Sequence, residues 1–175
     1  MKKLLVSASF WAMIVSGVFL PVSLSTTTVV MAQELGLKER RIIKDYQEKI
    51  YPSELKNIQD AAGFAVAVEP DWNSFFKADQ AESFNEGWYI TNVFFKPLVT
   101  ALTSITSDSE GKEALKAKLT KIILKHDAAT APASAYKDGV TFKDGILTIN
   151  FVPGSNADAV DDRATAIEDA LSEGL

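Results

Sequence analysis

The sequence predicts an α+β domain with a small, mostly antiparallel sheet of about four strands, covered by helices on one face. Three observations indicate this class. Residues 140–151 alternate apolar and polar side chains around Asp144-Gly145, which is typical of a β-hairpin near the C-terminus. Residues 84–105 carry apolar side chains at helical spacing, and residues 160–171 repeat that spacing at the end of the chain.

The composition is that of a folded globular protein, and it excludes several kinds of site. The chain has 175 residues, of which 47% are hydrophobic and 23% charged. It contains no cysteine, which excludes disulfides and thiolate ligands, and its single histidine, His126, cannot build a multi-histidine metal site within one chain. A net charge of −5 disfavours binding to nucleic-acid phosphates. We therefore expect no cofactor, no metal and no nucleic-acid partner.

The first 32 residues have the pattern of a secretory signal peptide. A basic Met-Lys-Lys start precedes an apolar run over Leu4–Leu24, and Val30 and Ala32 form a small-x-small cleavage site before Gln33. The sequence therefore predicts an exported protein, periplasmic or secreted, with one mature domain over residues 33–175.

The mature chain would hold 16 basic and 23 acidic residues, a net charge of about −7. A chain of this length can bury one hydrophobic core. The alternative is an uncleaved leader, because its apolar run is long enough to cross a bilayer. The protein would then be tethered to the membrane.

Two helices and a strand are predicted in the first half of the mature chain. Residues 36–51 have helical spacing and stop at Pro52, and residues 54–62 form a second helix that Gly63 closes. The run 64–68 is apolar on both faces, so we predict a strand in the interior of the sheet.

The long apolar stripe over residues 84–105 predicts a helix, although residues 88–95 could form a strand on propensity alone. Pro97 is expected to kink or split this helix, because a mid-helix proline costs about 3 kcal/mol. A further helix is predicted to begin at Asp108, followed by a strand over residues 122–125.

The hairpin is the strongest local signal in the chain. Asp144-Gly145 favours a two-residue type I′ turn, and this turn sets the strand register. Ile146 is then the one apolar residue that lies on the polar face. Ser155 and Asp158 resemble a capping box for the last helix. The predicted cross-strand pairs are Lys143 with Ile146, Phe142 with Leu147, Thr141 with Thr148, and Val140 with Ile149.

Two groups of polar residues are candidates for catalysis. Glu69 and Asp71 follow the first strand beside Trp72, and paired carboxylates near an aromatic ring are typical of glycan hydrolases. Glu-Pro-Asp is equally typical of a turn. His126 precedes Asp127, a pair that could act in general-base chemistry, but neighbours in a strand point to opposite faces.

A dense set of aromatic residues is the candidate ligand-binding surface. The hypothesis is a hydrophobic groove for a small apolar ligand or an exported protein partner. The alternative is that the same rings fill the core. The residues proposed for ligand binding are Trp72, Trp88, Tyr89, Phe94 and Phe95.

These residues predict an exported, non-enzymatic binding or interaction protein, since catalytic residue types are scarce and apolar surface is plentiful. The first alternative is a carboxylate-dependent glycan hydrolase that uses Glu69 and Asp71. The second is a membrane-tethered structural protein that keeps its leader.

Overall fold

A computed structural model describes residues 35–75 and 87–175, and the predicted leader and the expected helix start at Phe84 lie outside these residues. The described elements run in chain order as helices, a first strand, helices again, three more strands and a final helix. They are α1 (Leu37–Lys49), α2 (Tyr51–Ala62), β1 (Ala67–Pro70), α3 (Trp88–Ile90), a π-helical segment (Thr91–Phe95), α4 (Lys96–Ile105), α5 (Ser109–Lys118), β2 (Lys121–Lys125), a 3-10 turn (Tyr136–Gly139), β3 (Val140–Lys143), β4 (Ile146–Asn150) and α6 (Val160–Gly174).

The α+β class agrees with the structure, but the prediction of a mostly antiparallel sheet is wrong. The four strands lie in the order β1-β2-β4-β3. β1, β2 and β4 are parallel, and β3 alone runs antiparallel to its neighbour. Parallel strands need long crossover connections, and the helical segments between β1 and β2 provide one. The hairpin pattern predicts only that β3 and β4 are antiparallel. It carries no information about how β1 and β2 are oriented relative to β4.

β3 and β4 pair in the register that the sequence predicts. Val140 lies opposite Ile149 and Lys143 opposite Ile146. Asp144 and Gly145 have φ angles of 52° and 79°, as a type I′ turn requires at both central positions. The pair does not end the chain, because α6 follows it.

β1 differs from its prediction in both position and surroundings. The strand begins at Ala67 and lies at the edge of the sheet. Two carbonyl groups on its outer side, one of them just before the strand, nevertheless accept hydrogen bonds: the Tyr51 hydroxyl donates to Val68 O at 3.1 Å, and Gln59 Nε2 donates to Val66 O at 3.2 Å. Side chains of α2 therefore protect this edge, which is how folded proteins prevent unwanted strand pairing.

Pro52 and Pro97 each lie at the start of a helix. Pro52 belongs to the first turn of α2, where its missing N–H costs nothing, so it does not mark the end of α1 as predicted. Residues 88–105 are helical, as the apolar stripe predicts. Before Pro97 the winding widens, and Lys96 N donates to Thr91 O five residues back. This π-helical turn lets the helix continue through Pro97.

The last helix starts later than its sequence signal suggests. It begins at Val160, and its N-cap residue Ala159 offers no side-chain hydrogen bond. The predicted capping box at Ser155 and Asp158 is therefore wrong. The apolar stripe of α6 is correct, because Val160, Ala164, Ile167 and Leu171 are all buried.

The core lies between these helices and one face of the sheet. Ile122, Leu124, Leu147 and Ile149 of the central strands are fully buried, in one cluster with residues of α4 and α6. The described residues, 35–75 and 87–175, belong to one compact unit. Among the described residues, no helix has the length and apolarity that crossing a bilayer requires.

Candidate functional site

The other face of the sheet is a candidate interaction surface. Strand pairing places its side chains in two rows across the four strands, and we call them the open sheet face. Each of its residues is exposed or half-exposed. Row one is Ala67, Lys121, Ile146 and Lys143; row two is Glu69, Ile123, Thr148 and Thr141.

The centre of the open sheet face is apolar. Ile123 and Ile146 are half-exposed on adjacent strands, and they lie outside the cluster that fills the core. Sheets of parallel strands normally have both faces covered. Here three parallel neighbours present one face on which no residue of the two rows is buried. Ile146 is the one apolar residue on the otherwise polar face of the predicted hairpin, and it thus belongs to an apolar patch.

The edge of this patch is basic, although the chain is acidic. Lys121 and Lys143 belong to the first row, and Lys125 follows the second row along β2 on the same side of the sheet. The two rows contain one carboxylate, Glu69, and Asp127 lies close enough to Lys125 to interact with it electrostatically. Lys121 Nζ lies 2.9 Å from Glu69 Oε1, and 57% of the Glu69 side chain is exposed. The remaining lysines leave a positive surplus, which would attract an acidic partner.

The predicted catalytic residue Asp71 forms a turn after β1. Its backbone N–H continues the sheet by donating to Leu124 O at 2.8 Å. Its carboxylate accepts from Ser74 N at 3.3 Å, and its carbonyl accepts from the Ser74 hydroxyl at 2.7 Å. The turn interpretation of Glu-Pro-Asp is the one that this geometry supports.

His126 is tied to the same turn. Its backbone N–H donates to Ser74 Oγ at 2.9 Å, and Nδ1 lies 3.1 Å from Ser74 O. The adjacent Asp127 bonds instead to its own loop, where it accepts from Ala129 N at 3.0 Å and from the Thr130 hydroxyl at 2.8 Å. These two bonds hold the pKa of Asp127 below its usual value. The His-Asp pair is therefore divided between two structural roles.

Asn150 is a buried polar residue that sequence analysis missed. Its Oδ1 accepts from Asp127 N at 2.8 Å, and its Nδ2 donates to Thr130 Oγ1 at 3.0 Å. These bonds fasten the loop after β2 over the end of β4. Only the pairing of β2 with β4 brings these residues together, so no local sequence signal indicates the contact.

The predicted aromatic groove is largely core. Phe94 and Phe95 are fully buried, so their assignment to a ligand-binding surface is wrong. Trp72 is half-buried against Tyr51, with ring centroids 5.0 Å apart. Phe94 and Phe95 lie on the face of the helix that packs into the core, which is the usual position of a dense set of aromatic residues.

Trp88 and Tyr89 remain at the surface. Trp88 is 38% exposed, and its ring centroid lies 3.8 Å from that of the half-exposed Tyr89. Of the aromatic residues predicted to bind a ligand, Trp88 has the most exposed side chain, while Tyr89 and Trp72 are both partly exposed.

Arg163 is the second residue that sequence analysis missed. It is 1% exposed, and its guanidinium lies over the rings of Tyr136 and Phe151 at 4.4 and 5.5 Å. It donates to three backbone carbonyls, those of Ser155, Asn156 and Ala159. Burial lowers its pKa. Its position three residues after Val160 places it on the apolar stripe of α6, and this is the sequence signal that could have predicted its burial.

Within residues 35–75 and 87–175, no group of three or more histidine or acidic side chains is placed to hold a metal ion. Comparison of the chain with protein-family models, curated proteins and solved structures finds no match.

Proposed function

We propose that the protein is an exported, non-enzymatic binding protein whose open sheet face receives an acidic surface of an exported protein partner. The observation that carries this proposal is the half-exposed pair Ile123 and Ile146 on neighbouring parallel strands, outside the core cluster. Parallel strands normally have a covering layer on both faces, and a partner would supply the second layer.

The chemistry of the open sheet face fits such a partner. Protein interfaces combine a desolvated apolar centre with a polar, hydrated edge. Ile123 and Ile146 supply the centre, while Lys121, Lys125 and Lys143 supply the edge. Complementary acidic groups on the partner would accelerate its encounter with a domain that is otherwise negative.

The carboxylates support binding better than catalysis. A glycan hydrolase needs an acid and a base that both face the substrate. Glu69 pairs with Lys121, and Asp71 accepts a bond from Ser74 within its turn. The hydrolase alternative still makes a distinct prediction: the double variant E69Q/D71N would abolish turnover of a glycan, whereas the binding proposal expects no turnover in the wild type.

Lysine footprinting tests the proposal. The protein is isolated under native conditions from its own host and acetylated, before and after dissociation from the material that accompanies it. We expect Lys121, Lys125 and Lys143 to gain reactivity on dissociation, while Lys112 and Lys116 on α5 remain unchanged as internal controls. Equal reactivity of both groups in both states would contradict the proposal.

A matched pair of variants tests the apolar centre. I146E places a charge in the patch, and L37E places the same charge at Leu37, which is 59% exposed on α1. We expect I146E to lose the partner mass in native mass spectrometry, because an interface centre tolerates a buried unpaired charge poorly. L37E should retain the partner. Loss in both variants would show that net charge, not the open sheet face, determines binding.

The small apolar ligand is a second candidate, favoured by the 38% exposure of Trp88 and its stacking on Tyr89. Its test is the intrinsic fluorescence of the wild type and W88F in the presence of an apolar probe such as anilinonaphthalene sulfonate. Quenching that W88F abolishes would support it. Identical responses of the two proteins would exclude Trp88 from ligand binding.

Export is tested separately by the intact mass of the native protein. A mass that starts at Gln33 supports a cleaved leader, and a mass that includes Met1 supports the membrane-tethered alternative.

A further inference from the structure

We propose that the outer face of α1 binds the surface of an anionic lipid bilayer. Leu37, Arg40, Arg41 and Lys44 have the i, i+3, i+4, i+7 spacing of a single helix face. All four are exposed. Tyr46, the buried residue of α1, lies on the opposite side of the helix. The first two turns of α1 therefore present a basic stripe, with an exposed leucine at its beginning and the acidic Glu48 one turn beyond Lys44.

The guanidinium groups of this stripe are its distinctive feature. The chain has three arginines, and Arg163 is buried, so Arg40 and Arg41 are the two exposed ones. Neither forms an ion pair with any residue of the described ranges. Lys44 has a partial partner in Glu48, 3.6 Å away on the same helix. The two arginines thus keep their charge available to an external anion.

The chemistry of the stripe fits lipid phosphates. A guanidinium binds a phosphate with two parallel hydrogen bonds, which an ammonium cannot do. A dissolved anion would make no use of Leu37, whereas a bilayer receives an exposed apolar side chain at the boundary of its acyl region. The combination therefore indicates a lipid surface.

The charge of the rest of the domain determines its orientation. Apart from α1, which holds five basic and three acidic residues, the chain has more acidic than basic residues. An anionic bilayer attracts α1 and repels the net negative charge of the rest of the chain, in which the lysines of the open sheet face are a local exception. We therefore infer that the domain approaches the bilayer with α1 first.

Vesicle sedimentation tests this inference. The protein is purified from its own host, its intact mass is recorded, and it is mixed with vesicles of phosphatidylglycerol and phosphatidylcholine or of phosphatidylcholine alone. The test variant is R40Q/R41Q. Its matched control is K112Q/K116Q on α5, which removes the same charge from two other exposed residues. Circular dichroism confirms that both variants are folded.

We expect the wild type and K112Q/K116Q to bind vesicles that contain phosphatidylglycerol in excess of neutral ones, and to leave them in high salt. R40Q/R41Q should bind about 25-fold more weakly, or about fivefold for each cation removed. An equal loss in both variants, or no dependence on phosphatidylglycerol, would overturn the proposal. The assay contains no protein partner, so its failure would leave the proposal for the open sheet face unaffected.

Discussion

Replacement of Arg163 by methionine should destabilise the domain strongly, although no carboxylate of the described residues forms an ion pair with this arginine. Two of its hydrogen bonds, to Ser155 O at 2.6 Å and Asn156 O at 2.7 Å, have the length of charge-assisted bonds. Each such bond contributes about 1.5–3 kcal/mol, and the contact with Tyr136 adds about 1–2 kcal/mol.

Part of this gain is offset by the cost of burying a charge, which methionine does not incur. Arg163 Nε is buried with no hydrogen-bond partner in the structure, which adds to that cost. We therefore expect R163M to lower the free energy of unfolding by about 3 kcal/mol, a large share of the 5–15 kcal/mol that folded domains typically have.

Urea unfolding, followed by circular dichroism, measures the change. With a slope of about 1.5 kcal/mol per molar urea, the midpoint should fall by about 2 M. The matched control is R41M on the exposed face of α1, which should stay within about 0.5 kcal/mol of the wild type. R163K should be intermediate, because one ammonium cannot hold several carbonyls in the geometry of a guanidinium. If R163M lost no more stability than R41M, the assignment of Arg163 as a structural anchor would be refuted.

Three further substitutions or titrations test the packing of the domain. G111A should lower the thermal midpoint, although alanine usually stabilises a helix, because its Cβ would overlap the carbonyl oxygen of Ile105; an unchanged or raised midpoint would contradict this contact. Burial raises the pKa of Tyr46, whose hydroxyl bonds to Thr91, so its contribution to stability is fully present below pH 10.0 and is lost as the pH rises through the native-state pKa. Absorbance at 295 nm should show this tyrosine titrating above its usual pKa of 10.0, and titration at pH 10.0 would refute its burial. The lowered pKa of Asp127 contributes stability that is present above pH 3.8 and lost as the pH falls, so D127N should show a smaller loss of stability between pH 7 and pH 3 than the wild type; an equal loss would indicate that other carboxylates are responsible.

The open sheet face shows why a surface of this kind escapes sequence analysis. The hairpin pattern placed Ile146 among polar residues, as an isolated exception. Its neighbour Ile123 lies 23 positions earlier in the chain, and the two meet through the parallel pairing of β2 with β4. The local pattern indicates exposure for Ile146 alone, and none indicates it for Ile123. Their patch exists only because of the strand order.

The aromatic residues show the opposite case, in which the local pattern does indicate burial. Phe94 and Phe95 belong to a helical stripe, and such a stripe predicts burial better than it predicts a binding groove. The feature of this segment that the sequence does not predict is its π-helical hydrogen bonding. The π-helical turn before Pro97 depends on how the helix packs, so the sequence could indicate a disturbance without indicating its form.

The sequence by itself determined the features that neighbouring residues control. Gly63 ends α2, Asp108 caps α5, and Asp144-Gly145 sets the turn and register of β3 and β4, because each depends on backbone angles and hydrogen bonds within a few residues. Only the tertiary structure decided the parallel order of β1, β2 and β4 and the burial of Arg163. These features follow from contacts between residues distant in the chain, whose free energy depends on the packing of the whole domain and not on any local pattern.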